Sequence, residues 1–171
     1  MANTFVKIAS TTVGSGGAAT IDFTSIPSTY TDLIVKLSSR STTGTTAVGA
    51  TLNSDTGSNY TERQLEGSGT GVSSTSGTFS LMRIGSSNGG TDTTSNTFAS
   101  SELYIPNYAG SNNKSASTDA VTEDNSSVAY ATLRALLWNN TSAITSISLK
   151  NTNNNNFVQY STATLYGIKK N

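Results

Sequence analysis

The sequence predicts an all-β fold, an antiparallel β-sandwich of the jelly-roll kind, formed as a single domain with long polar loops over residues 1–171. Three observations predict it. Apolar and polar residues alternate with a period of two through most of the chain, the pattern of strands buried on one face. Clusters of Gly, Ser and Asn interrupt that alternation every ~8–12 residues, the turn spacing of a sandwich. Hydrophobic residues are only 34% and charged residues 12%, but the net charge is zero and there are 7 Tyr, 5 Phe and 1 Trp. The polarity therefore comes from Ser, Thr and Asn, not from the excess charge that keeps a chain disordered.

The elements follow in order. Residues 4–10 read as a first strand, with Phe5, Lys7 and Ala9 on one face and Val6 and Ile8 on the other. Gly14, Gly16 and Gly17 allow a reversal. Residues 19–25 form a second strand that points Ile21 and Phe23 the same way, and Pro27 ends it because proline cannot donate to a ladder. Residues 30–39 follow, with Leu33, Val35 and Leu37 inward and Ile34 on the opposite face. Residues 47–52 are a short strand that enters the turn-rich octet Asn53 to Tyr60, and residues 60–65 resume the alternation through Tyr60, Glu62 and Gln64. The Gly/Ser/Thr stretch 67–76 reads as an exposed loop. Strands are expected at 78–84 and at 98–105, the latter closed by Pro106, with the polar stretch 86–96 between them.

Residues 115–121 carry a weak alternation. Residues 127–138 are read as a strand, with Val128, Tyr130, Thr132, Arg134, Leu136 and Trp138 on one face and Ala129, Ala131, Leu133, Ala135 and Leu137 on the other. Its alanines and leucines also suit a helix, but a helix would place Tyr130, Arg134 and Trp138 along a stripe that is not uniformly apolar. Residues 143–150 alternate, 152–156 make a polar loop, and 157–169 read as a long final strand. The total is nine or ten strands. Because Thr at so many strand positions buries little area, stability is expected to come partly from association.

The absences exclude several chemistries. Without histidine there is no His-based triad or His-ligated zinc, and without cysteine there is no thiolate nucleophile or disulfide. Zero net charge with scattered Lys and Arg argues against nucleic acid as a partner. The first twenty residues lack the basic and apolar regions of a signal peptide, and no run approaches the ~18 apolar residues of a membrane span. The expectation is a chain made in the cytoplasm, with no membrane partner and no cofactor.

Asn53, Asp55, Gly57 and Asn59 alternate as the oxygen ligands of a calcium loop would, but the twelfth position is Gln64 where a bidentate glutamate is needed. The octet is read as an Asx/Gly turn and no metal ligand is assigned. The acidic residues Asp22, Asp32, Asp55, Glu62, Glu66, Asp92, Glu102, Asp119, Glu123 and Asp124 are expected as solvated surface groups, and no catalytic residue is assigned. Paired carboxylates could in principle carry glycoside hydrolysis: Glu62 and Glu66 would share a neighbourhood if that segment is irregular, and Glu123 and Asp124 lie together in a loop. Trp138, Tyr60, Tyr104 and Tyr108 are the aromatics able to stack on a sugar; packing in the core or between subunits is the alternative preferred. Lys169 and Lys170 form a small basic tail. The sequons at Asn59, Asn113, Asn125, Asn139 and Asn140 are what this composition produces by chance.

A succession of motifs carries a resemblance. Val13-Gly14-Ser15-Gly16-Gly17-Ala18 precedes Ile26-Pro27-Ser28-Thr29-Tyr30-Thr31-Asp32-Leu33. Then come Leu52-Asn53-Ser54-Asp55-Thr56-Gly57-Ser58-Asn59-Tyr60 and Leu103-Tyr104-Ile105-Pro106-Asn107-Tyr108. Gln159-Tyr160-Ser161-Thr162-Ala163-Thr164-Leu165-Tyr166-Gly167-Ile168 closes the chain. In this order they resemble small structural proteins of tailed phages of aquatic bacteria, cyanophages especially. The resemblance implies a virion protein without enzymatic activity, a β-sandwich or jelly roll serving as capsid decoration (cement) or as part of a tail fibre. Decoration is the expected role: a homotrimer on the outer capsid surface, clamping neighbouring copies of the major capsid protein. The alternative is a tail-fibre or receptor-binding module that reads host glycans through the loops at 67–76, 86–96 and 111–113. A third reading, a non-viral carbohydrate-binding module, normally comes with export or fusion to an enzyme.

Overall fold

A computed structural model describes residues 4–89, 93–125 and 129–169. They form twelve strands: β1 (Phe5–Thr12), β2 (Thr20–Phe23), β3 (Asp32–Ser41), β4 (Thr46–Leu52), β5 (Tyr60–Gly67), β6 (Val72–Phe79), β7 (Met82–Gly89), β8 (Ala99–Pro106), β9 (Lys114–Val121), β10 (Ala131–Trp138), β11 (Ile147–Asn151) and β12 (Thr162–Ile168). The all-β class is as the sequence predicts. There is no helix among the described residues, and the segment around Leu133 is a strand.

The strands build two layers. The larger runs β1-β12-β3-β8-β9-β10-β5-β6, antiparallel at every step. The smaller runs β2-β11-β4-β7, also antiparallel. One feature departs from a purely antiparallel sandwich: the ends of β3 and β7 pair in parallel at Arg40–Asn88 and Ser41–Gly89, which stitches the layers into one hydrogen-bonded network. Leu33, Val35 and Leu37 face Ile21, Phe23, Val48, Ala50, Ile147 and Leu149 in a single core. Complete burial of a leucine such as Leu33 stabilises the fold by about 1.5–3 kcal/mol.

β7 lies across the inner face of the larger sheet. Thr118 on β9 donates its hydroxyl to the Ile84 carbonyl at 2.7 Å, a buried bond between layers. Gly85 makes that approach possible, since a Cβ there would sit 2.2 Å from Ser101 Oγ and 2.9 Å from Ala120 Cβ. The turns use Asn where positive φ is required, at Asn53, Asn96, Asn107, Asn125 and Asn154.

Several expectations are corrected. Residues 67–76 are not a loop: a short turn, closed by the Ser68 N–H on the Gly71 carbonyl at 3.0 Å, leads straight into β6. The expected strand 78–84 is two strands, and β7 extends to Gly89 through residues assigned to a polar loop. The long final strand is interrupted: Phe157 makes only isolated bridges, Tyr160 takes φ 71°, and β12 starts at Thr162. A register shift between Lys7 and Ala9 breaks the alternation in β1, so Ala9 packs on the core, away from the face of Phe5 and Lys7. Val128 and residue 127, the expected start of β10, lie outside the described residues.

Candidate functional site

The Asn53 to Tyr60 turn is an internal hub. Asp55 receives Trp138 Nε1–H at 2.7 Å, Asn59 Nδ2–H at 3.0 Å and the Gly57 backbone N–H at 2.9 Å. Tyr60 donates its hydroxyl to the Asp55 carbonyl and accepts the Leu52 N–H, both at 3.0 Å. Its ring stacks on Trp138 at 6.3 Å between centroids. Asn53 turns to the segment before β11, accepting from Thr145 N and Ser146 N and donating to the Ala143 carbonyl. The oxygens that resemble a calcium loop therefore do not converge, and the Asx/Gly-turn reading is the one the geometry fits.

These donors, the indole first, hold the Asp55 carboxyl below its ordinary value. A carboxyl with a folded pKa under its unfolded one adds stability above the unfolded value, and that stability is lost as pH falls through the folded value. Trp138 is the sole tryptophan and reports the event. Its fluorescence is expected to hold steady on acidification through the ordinary carboxylate range and to change only below it, and Asp55→Ala is expected to abolish that step. A step at the ordinary carboxylate pKa, present in both proteins, would contradict the hub.

The aromatic candidates do not form a sugar platform. Trp138, Tyr60 and Tyr108 are fully buried, and half-buried Tyr104 donates its hydroxyl to Asp32 at 2.9 Å. The exposed aromatics are Phe5 and Tyr160, neither anticipated.

The carboxylates divide. Asp22, Asp32, Glu102 and Glu123 are tied locally, to Thr20, to Tyr104 and Asn107 N, to Lys36, and to Asn125 N. Asp119 is exposed, and Asp92 lies outside the described residues. Glu62 and Asp124 are buried, which corrects the expectation of a solvated surface group at both. Glu62 is held by Arg83 at 3.1 Å and by Arg134 Nε at 3.7 Å. Arg134 also donates to Gln64 Oε1 at 2.9 Å and Thr132 Oγ1 at 3.1 Å, and Gln64 Nε2 passes the network to Glu66 at 2.9 Å. Burial raises the Glu62 pKa against the pull of both guanidinium groups. Glu62 and Glu66 share a face of a regular strand, with Gln64 set between them.

Lys114, not singled out by the sequence, is fully buried. Its ammonium donates to the carbonyls of Gly110 at 2.8 Å, Asn112, and Thr141 at 3.4 Å, tying two loops to the start of β9. Burial lowers its pKa. Of the sequon asparagines, Asn59 serves Asp55, Asn113 donates to Asn139, and Asn140 caps a turn on Ser142 N. Lys169 pairs through its backbone N–H with the Thr4 carbonyl, and Lys170 lies outside the described residues.

The candidate site is the surface behind that charged network. On β5 and β10 the polar side chains Glu62, Gln64, Thr132 and Arg134 point inward, so their neighbours Leu65, Ala131, Leu133 and Ala135 point out. Leu133 is 57% exposed, Leu65 52%, Val121 49% and Val72 77%. Register places them side by side. One row across β9, β10, β5 and β6 reads Val121-Ala131-Gly67-Val72, and the next reads Asp119-Leu133-Leu65-Ser74. Singly exposed apolar residues are ordinary, but a contiguous patch on a rigid sheet marks a contact surface. No protein-family model matches the chain, and no curated protein matches it in sequence.

Proposed function

We propose that this protein is a structural component of a phage virion, a capsid decoration protein that clamps neighbouring capsid subunits through multivalent contacts. One observation carries the reading: the exposed apolar face on β9, β10, β5 and β6, which is built to rest against protein. Self-association multiplies the footholds that each assembly sets on a shell, and weak contacts then hold through raised effective concentration. The strand order supports reading the sandwich as a jelly roll. With β5, β6, β9 and β10 set aside as insertions, the remaining strands give sheets β1-β12-β3-β8 and β2-β11-β4-β7. In a serial numbering of eight those orders are 1-8-3-6 and 2-7-4-5.

The burial of Trp138, Tyr60 and Tyr108 takes three of the four aromatics able to stack on a sugar out of reach of a glycan. Quantitative gel densitometry of purified particles tests the proposal. Tens to hundreds of copies per particle are expected, and a few copies per particle would replace decoration with a tail-fibre role.

A further inference from the structure

We infer that the apolar outer face of β9, β10, β5 and β6 is the contact between two copies of this chain related by a two-fold axis running along the strands between β10 and β5. The inference rests on reading that face as a protein contact, and not on what the assembled copies go on to bind.

The occupant follows from the pattern on the face. A two-fold interface is isologous, so the same patch must complement itself. A rotation about a line between β10 and β5 exchanges β10 with β5 and β9 with β6 while preserving the rows. Leu133 then faces the partner's Leu65, and Val121 faces the partner's Val72. Ala131 faces the partner's Gly67, two small residues that let the sheets approach near the axis. Every large exposed apolar residue on this face meets another.

The charges obey the same operation. Asp119 is carried over the partner's Ser74, and Arg63, one row further along, over the partner's Ala135. Neither charge meets its own kind. Nothing in β6 opposes the approach either, since Val72–Phe79 contains no charged residue and no proline.

The size is sufficient. Four strands ~4.8 Å apart and four outward rows ~7 Å apart span about 500 Å² on each copy. Two copies bury about 1,000 Å², the lower bound for a specific interface. Sheets packed face to face lie about 10 Å apart and nearly aligned, so the central rows keep their partners despite the twist. Clamping needs at least two footholds, and a dimer supplies them without the trimer expected from the sequence.

Sedimentation equilibrium of the purified full chain is the test. The wild type is expected as a dimer at micromolar concentration. Leu133→Glu is expected to weaken dimerisation roughly 100-fold while leaving the circular dichroism spectrum in place, because its side chain points away from the core; its Tm is expected to lose the concentration dependence that the wild-type dimer shows. The chain has no cysteine, so Val72→Cys and Val121→Cys give clean geometry. Mixed with a bismaleimide cross-linker whose span matches the ~10 Å between packed sheets, these two proteins are expected to join through a 72–121 cross-link, and neither is expected to do so alone. A wild-type monomer or trimer, a Leu133→Glu dimer as tight as wild type, or no 72–121 cross-link would overturn the inference. A dimer that forms as described but is present in only a few copies per particle would overturn the capsid reading alone.

Discussion

Replacing Trp138 with alanine is expected to destabilise the fold by about 3–5 kcal/mol, the usual cost of deleting a fully buried indole. Three contributions are removed together. The ring leaves a cavity at the inner end of β10, the stack on Tyr60 disappears, and Asp55 loses the donor that does most to hold its charge. Trp138→Phe comes nearer to separating them, because it keeps a ring beside Tyr60 while removing the N–H and the smaller part of the indole's volume. Its expected cost is about 1.5–3 kcal/mol, the range for a hydrogen bond to a charged group. Urea unfolding at neutral pH measures both, and equal losses for the two variants would mean that packing contributes nothing beyond the hydrogen bond.

Arg134→Ala is the second large effect, at about 3–5 kcal/mol, because it strips one partner from a buried acid. Glu62 would keep only Arg83, which stacks over Phe79 at 4.6 Å and is partly open to solvent. Gln64 and Thr132 would lose their shared donor. Removing both charges in Glu62→Gln/Arg134→Met is expected to restore most of the loss, since a buried pair exchanged for neutral groups is often close to neutral in stability. The pH dependence has a definite sign. Because burial raises the Glu62 pKa in the folded state, its contribution is fully present below the unfolded pKa and is lost as pH rises through the folded value. Glu62→Gln is expected to remove that decline. A double variant as unstable as Arg134→Ala alone would show that the network matters for its shape and not for its charges.

Part of this architecture is written locally in the sequence, and particular residues show which part. The alternation in β3 and β11 sets hydrophobic side chains against Lys36, Ser148 and Lys150; Leu33, Val35 and Leu37 read as inward and are buried, and Ile147 and Leu149, which the alternation puts on one face, are buried with them. β6 escaped because a strand of Ser, Thr and Gly alternates nothing that hydropathy can register; it takes its register from β5 through eight paired positions. β10 shows a different limit. Its two faces were legible as Thr132, Arg134, Leu136 and Trp138 against Ala131, Leu133, Ala135 and Leu137, but composition favours burying the second set. Trp138 and Leu136 decide otherwise, and with a period of two and no bulge Arg134 and Thr132 must follow them inward. The apolar patch is the consequence of that phase. β1 shows the contrary case, where a bulge after Lys7 lets the strand change phase and bring Ala9 onto the core. The Asp55 hub was readable as turn chemistry, whereas its link to Trp138 spans 83 residues and leaves no local trace.

The central claim is that this surface works by contact between proteins, on the outside of a shell. Cryo-electron microscopy of the parent particle tests that most directly. The account predicts density for the protein at repeated positions over the capsid exterior, with the strands β9, β10, β5 and β6 of neighbouring copies facing each other. Density confined to the tail, or single copies with Leu65 and Leu133 open to solvent, would contradict it.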